Sequence, residues 1–365
     1  MKLFRQHLCL ILLLLASCQL YARDMSQKAN VDVKEILWGH IKDSYEWHIT
    51  DIGEKEHKTA IVLHLPIIVK TTTGWHIFSS SQFEEAEDPE ADRIGPYNLV
   101  IKSGNASTHP NKIVEVVNGH EIVPWDFSIT KTVCVLFINA IILLLVILIP
   151  ARWCKKHKLD DPAPKGFIGL MHMFIQSIYE DVVVASLGKE APKYGAWLLS
   201  CFFFIFISNL MGILPFPPGG GNLTGNIACT FFFGATTFLI TNFTGTKEYW
   251  KEIFWPDVPL WLKFPLPIMP LIEVFGIFTK PAALMVRLFA NMMGGHMIIL
   301  SLISLIFIFG AFGAVVIGAT TVVSVLFSLF MLLIDTLVSF IQAYVFTMLS
   351  TLFIALAQVD GHHEG

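Results

Sequence analysis

Residues 264–358 carry only four charged side chains, and residues 288–334 carry none. An α-helix rises about 1.5 Å per residue, so about 20 apolar residues cross the hydrocarbon core of a bilayer. The uncharged run is more than twice that length. The sequence therefore predicts that this block lies in a membrane, either as four ordinary spans or as two long helices broken near residues 310–313.

The composition of the whole chain is typical of a membrane protein. Of the 365 residues, 54% are hydrophobic and 15% are charged, whereas soluble domains carry about 25% charged residues. These values exclude a disordered chain and disfavour an ordinary soluble enzyme, and the net charge of −4 gives no support for nucleic-acid binding. The six cysteines lack the spacing of a metal site, so we predict no metal. We also predict no catalytic residues and no cofactor.

Hydropathy and charge predict an all-α polytopic membrane domain over residues 129–360, followed by a cytoplasmic tail at 361–365. Its first span, residues 132–150, is uncharged, and the four basic residues within 152–158 indicate the cytoplasmic side. Residues 166–187 include two acidic side chains and are predicted to form an interfacial amphipathic helix. We expect about five membrane helices, the last two long and oblique, at residues 132–150, 195–214, 225–245, 266–309 and 317–358.

The N-terminus has the pattern of a signal peptide. Lys2 and Arg5 precede an apolar stretch at residues 8–16 that is short for a membrane span. Removal of residues 1–22 is the main prediction. Two alternatives remain: residues 15–18 resemble a lipoprotein processing box that would leave a lipidated Cys18, and the segment could also stay as an uncleaved anchor.

Residues 23–128 are predicted to form a small β-rich domain outside the cytoplasm. The stretch combines β-branched and apolar runs with turn signals such as the Thr-Thr-Thr-Gly sequence at 71–74. The acidic run at 84–88 is interpreted as a solvated loop, because its sequence implies no liganding geometry. The predicted strands lie at residues 61–65, 67–70, 98–101 and 113–117.

The few charges of the membrane block follow a helical spacing. Glu273, Lys280 and Arg287 recur every seven residues, so they lie on one stripe of a helix. A charge within a membrane helix costs roughly 2.5–3.5 kcal/mol on insertion scales, and such residues are functional candidates. Glu273 and Lys280 could simply pair with each other. Arg287, however, has no acidic residue three or four positions away.

Titratable groups accompany this fixed cation. Asp335 and Gln342 are also seven residues apart and are expected on one face of the final helix. His296 and Asp335 can gain and lose protons along an aqueous path, whereas an arginine stays charged. The residues themselves therefore predict a membrane protein that transports ions.

The residues around Arg287 resemble a known family. The stretch RLFANMMGGH at 287–296, preceded by Glu273 and the Lys280-Pro281 pair, resembles the signature of subunit a of bacterial F-type ATP synthases. The resemblance extends over about residues 125–360. Three further stretches are similar to the family, at residues 209–215, 222–230 and 335–346.

The resemblance implies a non-catalytic stator subunit that forms two half-channels against a rotating ring of c subunits and couples proton flow to ATP synthesis. Arg287 would face the ring carboxylate, and Lys280 would be a structural or interface charge. Many bacterial members have an acid at the position of His296 and a histidine at that of Asp335, the reverse of this chain. The half-channels would be lined or bordered by Glu273, Asn291, His296, Asp335 and Gln342.

The implied partners are the c-ring, a b-type peripheral stalk, other ATP synthase subunits and membrane lipid. The implied location is the bacterial inner membrane, with a periplasmic N-terminal domain and a cytoplasmic C-terminus. Protons are the default ion, and the residues leave Na⁺ open. Two alternatives come from other classes: a self-contained ion channel or secondary transporter, and an exported receptor whose soluble domain does the work.

Overall fold

The fold was analysed in a computed structural model that describes residues 43–52, 59–83, 92–102, 109, 111–117, 119–157, 164–214, 221, 223–255, 268–310 and 314–358. The predicted signal peptide, Cys18 and the acidic run at 84–88 lie outside the described residues. The chain divides into two compact units, residues 43–289 with 339–365 and residues 1–42 with 290–338. Each unit is described by itself.

Strands occupy the N-terminal part of the described chain. They are β1 (Glu46–Ile52), β2 (Thr59–His64), β3 (Pro66–Thr71), β4 (Gly74–Ser79), β5 (Arg93–Ile94), β6 (Leu99–Ile101), β7 (Ile113–Val117), β8 (His120–Ile122) and β9 (Trp125–Asp126). All pairings are antiparallel. The sheet orders are β1-β2, β4-β3-β9 and β5-β6-β7-β8. The four β-rich runs predicted from the sequence lie in β2, β3, β6 and β7.

Apolar side chains from two of these sheets share one core. Strand β3 alternates between buried and exposed positions, as expected for a strand with one face on a core. Its inner residues Ile67 and Val69 are fully buried and cluster with Leu99 and Ile113 of the β5–β8 sheet. The outer face of the β4-β3-β9 sheet consequently points away from this core.

Helices form the rest of the described chain. They are α1 (Lys131–Lys156), α2 (Gly166–Ser177), α3 (Ala191–Ile213), α4 (Ile227–Phe243), α5 (Lys247–Phe254), α6 (Ile268–Gly310) and α7 (Ala314–Ala357). A π-helical turn at Ile178–Val184 and short turns up to Glu190 connect α2 to α3. Four helical stretches of the described residues are long and apolar enough to cross a membrane, or five if the bent pair α4–α5 counts as one span. The protein is therefore mostly helical and polytopic.

The 264–358 block forms two long helices. Helix α6 has 43 residues and α7 has 44, so each is about 65 Å long against a hydrocarbon core of about 30 Å. Of the two arrangements that the sequence allowed, the structure contains the long-helix one. By length and composition, residues 166–213 count as a single candidate span, and the interfacial placement of 166–187 stays a prediction.

In the unit 43–289 with 339–365, residues 281–288 of α6 pack against the helical core. Leu284 and Leu288 of α6 are 2% and 0% exposed and belong to one cluster with Phe202 of α3 and Phe346 of α7. Helix α4 approaches α6 closely at Gly234, where a methyl group would lie 3.2 Å from the carbonyl oxygen of Pro281. Small residues allow such close helix contacts in membranes. The segment around Arg287 is therefore fixed by packing.

Candidate functional site

Arg287 lies on the outside of its own unit. Its helical neighbours Leu284 and Leu288 point into the core, whereas Arg287 itself is exposed and Val286 beside it is 54% exposed. Helical geometry explains this, because residue 287 is rotated about 100° from residue 288. The packing that buries the two leucines therefore presents the guanidinium at the surface of α6.

The Arg287 guanidinium lies on an apolar surface and forms no ion pair with the described residues of its own unit. Among the described residues of 43–289 and 339–358, the ion pairs involve other side chains, and Arg287 takes part in none of them. The exposed neighbours Ala283 and Val286 on the same helix are apolar. An uncompensated cation on such a surface is costly in a bilayer. This arrangement suits a face that meets a partner carrying a carboxylate.

The other predicted residues of this unit lie in different surroundings. Glu273 is half-buried and Lys280 is exposed, and Lys280 lines a small cavity of about 30 Å³ together with Asn242 and Tyr249. Gln342 on α7 is buried, with an exposed fraction of 4%. The paired-strut alternative for Glu273 and Lys280 has no support here, since no salt bridge between them occurs among the described ion pairs.

In the unit that contains residues 290–338, the structure brings Asp335 to the backbone of the helix that carries His296. A methyl group at Gly295 would lie 2.8 Å from Oδ2 and 3.0 Å from Oδ1 of Asp335. The carboxylate therefore packs directly on the residue that precedes His296, and the missing side chain at Gly295 makes room for it. Asn291 lies on the same helix within this unit. Sequence reasoning missed Gly295, although the Gly294-Gly295 pair in the motif was a usable signal.

Buried polar pairs, one between two helices and one between a helix and the turn before α4, are a second feature that sequence reasoning missed. Asn139 of α1 donates a hydrogen bond from Nδ2 to Ser208 Oγ of α3 at 2.6 Å. Thr224 Oγ1 donates to Asn209 Oδ1 at 2.6 Å. Such bonds stabilise membrane helix pairs. The signal was the presence of single polar residues within otherwise apolar spans.

The fold and these residues define a class of protein. It is a polytopic membrane protein with a fixed cation at the surface of α6 and titratable groups on α6 and α7, which is typical of ion transport. Sequence comparison then identifies the family. The model of the ATP synthase A chain family matches residues 133–355, and the chain belongs to that family. The model of a domain of unknown function, DUF8433, matches residues 36–127.

Curated relatives carry the same family name. ATP synthase subunit a of Pelodictyon phaeoclathratiforme is 40% identical over 247 residues, covering 66% of this chain and 68% of the relative. ATP synthase subunit a 2 of Chlorobaculum tepidum is 39% identical over 299 residues, covering 78% and 79%. ATP synthase subunit a of Myxococcus xanthus is 34% identical over 276 residues, covering 73% and 85%.

Proposed function

We propose that this chain is the proton-translocating subunit a in the membrane sector of a bacterial F-type ATP synthase. It forms two half-channels against a rotating ring of c subunits and couples proton flow to ATP synthesis. Family membership carries the general function. The observation that supports the mechanism is the exposed Arg287 guanidinium, which has no acidic partner among the described residues of its own unit.

Arg287 acts as a fixed charge between the two half-channels. Its guanidinium stays protonated at every physiological pH. A ring carboxylate about 4 Å away gains about 4 kcal/mol from this cation at an effective dielectric constant of about 20. That energy favours release of the proton from an arriving ring carboxyl group, and the cation also repels protons that would pass directly from one half-channel to the other.

The titratable residues supply the aqueous route to and from the ring. Asp335 and His296 form an acid–imidazole pathway around Gly295, and Glu273, Asn291 and Gln342 line or border the half-channels. Each proton that falls through 100 mV releases about 2.3 kcal/mol, which drives rotation. The acid and the imidazole are exchanged relative to many bacterial members, so we infer that the two groups act jointly.

The orientation follows from the basic residues after α1. Lys155 and Lys156 in the last turn of α1 support a cytoplasmic location for that end by the positive-inside rule. The β-rich region before Lys131 is then periplasmic, the C-terminus is cytoplasmic, and residues 1–22 serve as an export signal. The chain spans the inner membrane several times and contacts the c-ring and a b-type peripheral stalk.

Purification tests the proposed assembly. A tagged chain extracted in mild detergent should retain a c-ring and the peripheral ATPase subunits, and the particle should pump protons when ATP is added. A self-contained channel or transporter, the competing function, predicts ion transport by the purified chain alone in vesicles. Transport by the isolated chain, without the ring, would contradict the proposal.

Substitution of the two titratable residues tests the pathway. His296→Ala and Asp335→Ala should each slow ATP-driven proton pumping by about tenfold without abolishing it, because water and the remaining group still conduct protons. Ser301→Ala is a matched control, since Ser301 is exposed and its hydroxyl donates to the Met297 carbonyl oxygen of its own helix at 2.6 Å. Pumping at the normal rate in both variants would disprove the half-channel assignment.

A further inference from the structure

The β4-β3-β9 sheet has an exposed aromatic face on the side opposite its core. Trp75 and Ile77 of β4 are 58% and 72% exposed, and Trp125 and Phe127 at β9 are 72% and 57% exposed. The Trp75 and Phe127 rings lie 5.7 Å apart. These four residues, with Lys70 of β3, are called the aromatic face. Contiguous exposed apolar residues of this kind mark a contact with a membrane or another protein.

Strand register explains why these residues share one face. Lys70 pairs with Trp75 on one side and with Trp125 on the other, and directly opposed residues point to the same side of a sheet. Ile77 lies two residues beyond Trp75 in the same strand, and Phe127 lies two residues beyond Trp125. The period of two therefore puts all five side chains on the outer surface.

The sheet continues directly into the first membrane helix. The Phe127 amide donates to the Ile68 carbonyl at 2.9 Å, and the Ile129 amide donates to the Pro66 carbonyl at 3.1 Å. The Lys131 amide, at the first residue of α1, donates to the Ser44 carbonyl at 2.9 Å. Backbone pairing up to the start of the helix leaves no free linker. The aromatic face therefore keeps a fixed position relative to α1.

Chain length places the aromatic face near the bilayer surface. Only three residues separate Phe127 from Lys131, so their Cα atoms are at most about 14 Å apart. Helix α1 is 26 residues long, and its uncharged run at 132–150 follows Lys131 directly. A bilayer crossed by this run would have its hydrocarbon boundary near the first turn of α1. The headgroup layer extends several ångströms beyond that level.

The chemistry of the aromatic face fits a lipid interface. Tryptophan is enriched at the headgroup level because its ring is apolar and its N–H is a donor. Lys70 Nζ lies 5.9 Å from the Trp75 ring centroid, so a cation stands among the rings. Lys131 adds another cation at the start of α1. The Lys70 cation beside the Trp75 ring complements a lipid phosphate.

We propose that the aromatic face lies on the bilayer, in the lipid headgroups of the leaflet where α1 begins. The β-rich region then rests on the membrane through Trp75, Ile77, Trp125 and Phe127, and Lys70 binds phosphate. This contact braces the entry of α1 independently of proton translocation. A partner protein on the same face is the competing outcome.

Photocrosslinking in the full chain tests this contact. Benzoylphenylalanine replaces Ile77, whose exposed side chain tolerates a large group, and the chain is reconstituted in vesicles of phosphatidylethanolamine and phosphatidylglycerol. The matched control position is Ile94 of β5, another exposed isoleucine (58% exposed) that pairs with Val100 in the sheet that does not carry the aromatic face. We expect a phospholipid adduct at 77 in about tenfold excess over 94, because an interfacial face enters the headgroup boundary by about 5–10 Å. No adduct at 77, equal adducts at both positions, or an adduct to another polypeptide would overturn the proposal.

Native tryptophans provide a second measurement that needs no unnatural residue. The fluorescence of one tryptophan is obtained as the difference between the wild type and the variant that lacks it. Lipids brominated on the acyl chains near the headgroups should quench the Trp125 signal, obtained with Trp125→Phe. They should not quench the Trp47 signal, obtained with Trp47→Phe, because Trp47 is buried in the β-rich region with an exposed fraction of 6%. Equal insensitivity of both signals to bromine would also overturn the proposal.

Discussion

At the residue scale, Gly295 determines where the Asp335 carboxylate sits. Any Cβ at this position would come within 2.8 Å of Asp335 Oδ2, which is closer than van der Waals contact allows. Gly294, its neighbour, has no atom within 4 Å of the same point. The two adjacent glycines therefore have different roles, one accommodating the acid and the other facing open space.

Gly295→Ala should move Asp335 and slow proton pumping by about tenfold or more, since a displacement of about 1 Å at a reacting group costs up to two orders of magnitude in rate. Pumping in reconstituted vesicles measures this effect. A rate equal to that of the wild type would contradict the assigned contact.

Sequence reasoning selects the charged residues of the candidate site but does not predict their surroundings. Arg287, His296 and Asp335 stand out because ionisable groups are costly in an apolar helix. Their spacing along each helix does not reveal which residues of α6 face α7. The contact of Asp335 with Gly295 depends on packing between α7 and α6. The Asn139–Ser208 hydrogen bond depends in the same way on packing between α1 and α3.

At the element scale, the Tyr45 side chain connects the segment before β1 to β9. Its hydroxyl donates to Asp126 Oδ2 at 2.5 Å, and Asp126 Oδ1 accepts from the Ser128 amide at 2.9 Å. Burial, with a further contribution from Asp126, raises the pKa of Tyr45 above its usual value. The neutral phenol is therefore part of the folded structure next to the start of α1.

Tyr45→Phe should lower the stability of the β-rich region by about 1.5–3 kcal/mol, the typical contribution of a hydrogen bond to a charged group. Because the folded pKa lies above the unfolded value, the Tyr45 contribution is complete below about pH 10 and falls at higher pH. Urea unfolding of the full chain in nanodiscs, followed by Trp47 emission, should therefore show a difference between variant and wild type that narrows above pH 10. A difference that widens at alkaline pH would contradict this.

Helix lengths show the limit of hydropathy at this scale. Helices α3 and α4 begin and end within four residues of the predicted runs at 195–214 and 225–245, whereas α1 extends six residues beyond the predicted end at 150. In 264–358 the same criterion left four spans and two long helices equally open, because no charge or strong break separates adjacent turns between 288 and 334. Leu284 and Leu288 pack against α3 and α7, and hydropathy along the sequence does not predict such tertiary contacts.

At the scale of the whole molecule, the proposed topology has the two ends of α1 on opposite sides of the membrane. Cys154 is exposed near the basic end of α1. A maleimide that does not cross membranes should label Cys154 in inverted vesicles and not in intact spheroplasts, as read from peptide masses. Cys154→Ser identifies the peptide, and a cysteine placed at His120 should show the reverse pattern. Labelling of Cys154 in spheroplasts would reverse the proposed topology.

We propose that Arg287 separates two half-channels at the face that meets the c-ring. Proton-driven ATP synthesis by reconstituted complexes that carry Arg287→Ala measures this role. Synthesis should be abolished while the complex still assembles with its c-ring, because only the fixed charge is lost. Synthesis near the wild-type rate in a fully assembled Arg287→Ala complex would contradict it.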